Sequence, residues 1–150
     1  MTMPYPPPPE ELVIEQRNWP KLTQYWLSNG IFRTDVKEGA FLEIEDFLPA
    51  IKAKMDMIKG QDHCSVFICP KFGNISAEAR KLLASPEANL HAMVKAIVTP
   101  NLGTKILAEF FIAVNRPPVP HKAFSDIDQA MSWVQLEWKK IPNSGSQHAH

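Results

Sequence analysis

The chain has 150 residues, 45% hydrophobic and 21% charged, with 16 basic and 16 acidic side chains for a formal charge of zero. This is enough for one domain with a single core, and the balanced charge offers no basic face to nucleic-acid phosphates. No apolar run approaches the roughly 20 residues that span a bilayer, and "MTMPYPPPPEEL" lacks the basic and apolar regions of a signal peptide, so the expected location is the cytoplasm.

Pro6 to Pro9 favour polyproline II, which makes no internal hydrogen bonds. Residues 1–11 are therefore expected as a disordered proline-rich arm before a single domain over residues 12–140. "LVIEQR" offers an edge strand, and "QYWLSNGIFRTDV" a hairpin. Asn29-Gly30 suits the positive φ angles of a two-residue type I′ turn. That register sets Leu27 opposite Phe32 and Tyr25 opposite Thr34, with Trp26 beside Arg33 on the other face for a cation–π contact.

An amphipathic helix follows. Ile44, Phe47, Leu48, Ile51, Met55 and Ile58 form its apolar stripe, while Lys52, Lys54 and Asp56 lie off it. The Pro49 ring clashes with the carbonyl four residues back, so the helix is expected to begin near Glu45; Gly60 ends it. "HCSVFIC" reads as one buried strand closed by Pro70. Cys64 and Cys69 are five residues apart at about 3.3 Å each, beyond disulfide reach and on opposite faces. They are expected as inert small hydrophobes. His63 has no second cluster of ligands, so no metal site is expected.

Helix and strand then alternate. "SAEARKLLAS" is a helix with Ser76 as N-cap, and "HAMVKAIVT" a strand. "PNLGTKILAEFFIAVN" is a helix with Pro100 in its first turn, and "PHKAF" a strand. "SDIDQAMSWVQLEWKK" is a helix opening on a capping-box-like Ser125-x-x-Asp128. Pro117, Pro118 and Pro120 cannot continue a helix and hold the chain extended, which makes a rigid connector into an edge strand. Residues 141–150 read as a disordered tail. The fold class is α/β: a mixed sheet with an N-terminal antiparallel hairpin, then parallel β-α-β-α-β with right-handed crossovers and packed helices.

"AIVTPNLGTKILAEFFIAVNRPPVPHKAFSDIDQAMSWV" and "GNISAEARKLLAS" resemble the small bacterial STAS/SpoIIAA-like proteins of unknown function, over roughly residues 24–138. The resemblance implies the same mixed-sheet architecture and a non-catalytic switch or binding module. In the anti-sigma-factor antagonists of that superfamily, a serine in an Asp-Ser-Ser-Gly-like turn before a helix is phosphorylated. Here the turn reads "FGNISA" and only Ser76 sits near that position, without the motif. Ser76 therefore stands as a phospho-switch or as a plain helix N-cap.

No enzyme is expected. The chain has no G-x-S-x-G, G-x-x-x-x-G-K-[ST], H-E-x-x-H or G-x-G-x-x-G. His63, His91 and His121 open strands, as surface or half-buried structural histidines would, whereas α/β sites gather at carboxyl ends of strands. Those ends carry Lys71, Asn74, Ser76, Thr99, Asn101, Ser125 and Asp126. Four of them suit helix capping, with a small anion site at helix N-termini as the alternative. No nucleophile–base pair stands out, and no catalytic residue or cofactor is expected.

The apolar faces are more telling. Leu102, Ile106, Leu107, Phe110, Phe111 and Val114 sweep about 180° of their helix, wider than contact with one sheet needs. Ile112 falls outside even that arc. In the final helix Ile127, Ala130, Met131, Val134 and Trp138 make the core stripe and leave Trp133 and Leu136 off it. Phe111, Ile112, Trp133 and Leu136 are thus the candidate interaction patch. The expected partner is another protein or a second copy forming a homodimer. The alternative is a small apolar ligand, since SEC14-type lipid binders have a related topology.

Overall fold

Turn chemistry builds the sheet outward from its N-terminal edge. In the computed structural model, which describes residues 5–142, β1 (Val13–Asn18), β2 (Leu22–Leu27) and β3 (Ile31–Val36) form an antiparallel meander. Then β4 (His63–Ile68), β5 (Ala92–Val98) and β6 (His121–Phe124) add in parallel, and the six strands lie side by side in chain order. The helices are α1 (Ile44–Ile58), α2 (Ala77–Leu83), α3 (Leu102–Asn115) and α4 (Ile127–Lys140).

Because the parallel strands step in one direction and crossovers keep one hand, α1, α2 and α3 must all fall on the same face of the sheet. They do. Phe47 and Ala50 of α1, Ala79 and Leu83 of α2, and Ala108 and Phe111 of α3 share a core with Leu22, Val36, Phe67, Ile97 and Ala123. After β6 the chain folds under, and α4 packs Ala130 and Val134 on the other face against Leu27, Ile31, Cys64, Val66 and Val94. Cys64 and Cys69 accordingly lie in different cores. Both are reduced, and burial pushes each thiol up to about 12, which makes them poor nucleophiles. Among the described residues no helix is long and apolar enough to cross a membrane.

Several local expectations need correction. The hairpin pairs Trp26 with Phe32 and Tyr25 with Arg33, one residue away from the register expected. The cause is a three-residue loop: Gly30 N–H bonds the Leu27 carbonyl, and only Gly30, at φ 83°, is left-handed. The Arg33 guanidinium therefore lies over Tyr25, 5.8 Å from the ring centre, and not over Trp26.

Helix α1 starts at Ile44 with Pro49 inside it, held by a reciprocal capping box between Glu43 and Asp46. Pro49 and Glu45 are both exposed, so the carbonyl that proline leaves unpaired is open to water. Its buried face runs through Phe47, Ala50, Ala53, Lys54, Met57 and Ile58, while Leu48 is 53% exposed. Alanines let the helix sit close to the sheet, and that rotates the stripe and turns Lys54 inward. Asp126, not Ser125, caps α4, accepting from the amides of Asp128 and Gln129.

The N-terminal arm from Tyr5 onward is not disordered. Tyr5 donates to the Ser125 carbonyl, Arg33 donates to the Pro6 carbonyl, and Pro8 is buried. Residues 10–12 form a 3-10 turn that leads into β1. Ile141, expected in the tail, packs on the α4 core; residues 143–150 lie outside the described residues. Between α3 and β6 the triple-proline segment connects as expected, after a left-handed Arg116 that closes the helix.

Candidate functional site

Helix α3 has a well-made start: the Asn101 side chain accepts from Thr104 N–H at 2.9 Å. Its inner side is anchored by Ala108 and Phe111. The outer side is unusual. Leu102, Ile106, Leu107, Phe110 and Val114 are between 47% and 70% exposed, on a single helix face. Gly103 and Ala113 are exposed there too. The one exposed charged residue on this helix is Glu109, with Lys105 half-buried one turn earlier on the same edge. Beside the face lies a cleft of about 430 Å³, formed with Phe72, Gly73, Ala77 and Arg80.

The residues expected to form one patch are not brought together. Phe111 is 3% exposed and packs on Phe72 with ring centres 5.4 Å apart. Ile112 is half-buried against the same core. Trp133 packs on Phe124 at 5.6 Å, on the opposite face of the sheet, and Leu136 on α4 is 58% exposed. Of the wide apolar arc only Phe111 is buried, and Leu102, Ile106, Leu107, Phe110 and Val114 are left uncovered.

A second arrangement lies inside. On the face under α1, Phe32, Ser65, Lys95 and His121 are successive cross-strand neighbours, and Gln24 pairs with Thr34 next to them. Lys54 of α1 reaches the same level and donates to Ser65 Oγ at 3.3 Å. Lys54 and Lys95 are 7% and 8% exposed. Their ammonium groups lie over the rings of Phe32 and Phe67, at 5.3 and 5.5 Å. Burial, then the nearness of Lys95, lowers Lys54 to about 7, and burial lowers Lys95 to about 8.

His63 is wholly buried, not half-buried as expected, edge-on to Trp26 and Phe32. Periodicity alone could not reveal this row, because a lysine in an alternating pattern is normally assigned to solvent. The one available signal was Lys95 in the middle of the apolar run "AMVKAIV".

The other sequence candidates are capping groups. Ser76 accepts from Ala79 N–H at 3.1 Å, and Asn101 and Asp126 cap α3 and α4. Their acceptors are thus occupied by the helix amides that an anion would use. Among the described residues no three His, Cys, Asp or Glu side chains gather as a metal site would.

A family model described as "Domain of unknown function (DUF7793)" matches residues 25–136. No curated protein sequence matches the chain. Among solved structures, the chain is similar to an uncharacterized protein of the DUF3478 family with a SpoIIAA-like fold from Shewanella loihica PV-4. The TM-score is 0.50, with 14% identity over 80% of this chain and 90% of that one. At that identity the likeness concerns the fold, which is the SpoIIAA-like mixed sheet that the sequence motifs imply.

Proposed function

The chain belongs to the DUF7793 family, a domain of unknown function, and we propose that it works as a cytoplasmic, non-catalytic SpoIIAA-like module that pairs with a second copy of itself through α3. The observation that carries this reading is the outer face of α3, with five large apolar side chains about half or more exposed. A contiguous apolar stripe of that kind marks an interface.

Charge supports a second copy as the occupant. In an antiparallel pairing about a two-fold axis, the same edge of each helix adjoins the same edge of the other. Lys105 and Glu109 share one edge, so a pairing centred on Leu107 sets Lys105 of each copy beside Glu109 of the other. The face is complementary to itself in sign.

Sedimentation equilibrium at micromolar to submillimolar concentration tests this. The wild-type chain is expected to be a dimer, and Phe110→Glu a monomer with unchanged far-UV circular dichroism. Lys105→Glu or Glu109→Lys alone weakens the dimer, and the two together restore it. A wild-type monomer throughout, or a Phe110→Glu dimer, overturns the reading.

The cleft beside α3 favours one alternative. Its volume of about 430 Å³ falls in the range of small-molecule sites, and its lining, apolar apart from Arg80 and Asn115, suits a small apolar ligand. Native mass spectrometry showing a monomer with a co-purified apolar molecule would support that instead.

A further inference from the structure

Lys54 and Lys95 are buried with no counter-ion among the described residues. Taking an ammonium out of water costs several kcal/mol, and a buried cation is normally matched by a carboxylate. Lys54 and Lys95 border one cavity of about 40 Å³, and none of the residues lining that cavity is acidic. Lys54 has the Ser65 hydroxyl, but among the described residues Lys95 Nζ has no hydrogen-bond acceptor, only the face of Phe67. Nearby Gln24 is already engaged, accepting from Trp19 Nε1 and donating to the Ala50 carbonyl.

Size and lining narrow what fits. A water needs roughly 10–15 Å³ of such space, so the cavity holds about three atoms of that size, which is the head of a carboxylate. The walls beyond the polar corner are apolar: Phe32, Phe47, Phe67 and Leu83 among them. Thr34 and Ile51, both half-buried, also line it.

We propose that the cavity between α1 and the sheet is a binding site for a small monovalent anion of carboxylate size, held by Lys54, Lys95 and Ser65. The lysines supply charge-assisted hydrogen bonds in a site of low dielectric.

Binding is linked to pH, because the anion favours charged lysines that burial disfavours. The titratable neighbours are few. Lys54 comes from α1, Lys95 from β5, His63 from β4 and His121 from β6, while the α2 side contributes only Leu83 and Ala88. Both histidines are held neutral near pH 7, their acidity range pushed down to about 3. Affinity must therefore fall as pH rises through the range in which Lys54 and Lys95 lose their protons, about 7 to about 8.

The test uses the full chain with sodium acetate, butyrate, nitrate and chloride at constant ionic strength, at about pH 6.5 and about pH 9, on either side of that range. Thermal unfolding and the lysine side-chain NMR signals are followed. Acetate is expected to raise the melting temperature saturably at the lower pH, with a much smaller effect at the higher. Lys95→Met, which keeps the apolar stem, should weaken half-saturation by about tenfold or more.

A tighter response to acetate than to chloride or nitrate assigns the site to a carboxylate, and butyrate, whose stem exceeds the cavity, is expected to respond less than acetate. Equal responses assign it to a simple inorganic anion. The absence of any saturable response to all four at the lower pH, or a response undiminished in Lys95→Met, overturns the proposal. Should that variant not fold, the wild-type signals of Lys54 and Lys95 decide: unmoved by every anion, they also overturn it. The dimer through α3 is read by mass, so neither result depends on the other.

Discussion

Arg33 and Asp35 are 3% and 1% exposed and pair through two hydrogen bonds, Nε to Oδ1 at 2.7 Å and Nη2 to Oδ2 at 2.8 Å. Burial raises the Asp35 carboxyl and the adjacent guanidinium opposes that rise. Removing one partner strands the other charge, so Asp35→Ala is expected to cost about 3–5 kcal/mol. The double change Arg33→Met with Asp35→Leu should recover most of it, and urea unfolding of the three proteins checks both claims. Histidines act at this scale too. Burial first, then Lys54, pushes His63 down to about 3, so it stays neutral in the fold while the unfolded chain takes up a proton near 6.5. Its stabilisation is complete above that value and is lost as pH falls towards about 3. At about pH 5 the loss is on the order of 2 kcal/mol. His121, shifted the same way but partly exposed, adds less. Lys54 and Lys95, also lowered, bind fewer protons folded than unfolded, so stability keeps rising from about pH 7 towards 10.5. Melting temperatures that fall between about pH 5 and about pH 10 would contradict this. The inward turn of Lys54 was not legible in a wheel of large hydrophobes, because Ala50 and Ala53 share the buried face of α1 with it.

At the scale of elements, proline, glycine and capping residues marked the order of strands and helices. Ser76 was read correctly as a cap, and Ser76→Ala is expected to cost about 1 kcal/mol, measurable by denaturant unfolding. The hairpin register was not legible, because Asn-Gly serves both a two-residue turn and the last positions of a three-residue loop. Gly30 carries the difference. Its φ of 83° is strained for any other residue, and an added Cβ would stand 3.1 Å from the Trp138 ring. Gly30→Ala should therefore cost at least about 1–2 kcal/mol, with a loss of contact between the hairpin and α4 visible as a change in tryptophan fluorescence. For α3, the 180° apolar arc told that part of it lies off the sheet. It could not tell which side, because that depends on how the preceding 3-10 turn at residues 72–74 meets Phe111.

For the whole molecule, handedness decides sides and not order: because β3 to β6 step in one direction across the sheet, crossovers of one hand put α1, α2 and α3 on a single face. What stayed hidden was the placement of α4 on the other face, which separates Trp133 and Leu136 from Phe111 and Ile112. That face is also closed by the first residues of the chain. Tyr5 and Leu12 pack there, and the Tyr5 hydroxyl is tied to the Ser125 carbonyl 120 positions later. During synthesis, then, β1 to β3 leave the ribosome with Tyr25, Leu27 and Ile31 uncovered on one side. Their lid does not exist until the last quarter of the chain has been made, a delay on the order of ten seconds at ordinary translation rates. Throughout that interval the nascent sheet offers a sticky apolar surface to chaperones and to its neighbours on the same message. The N-terminal strap can be gripped early by Arg33 at the Pro6 carbonyl, but its Tyr5 end has nothing to fasten to until Ser125 arrives.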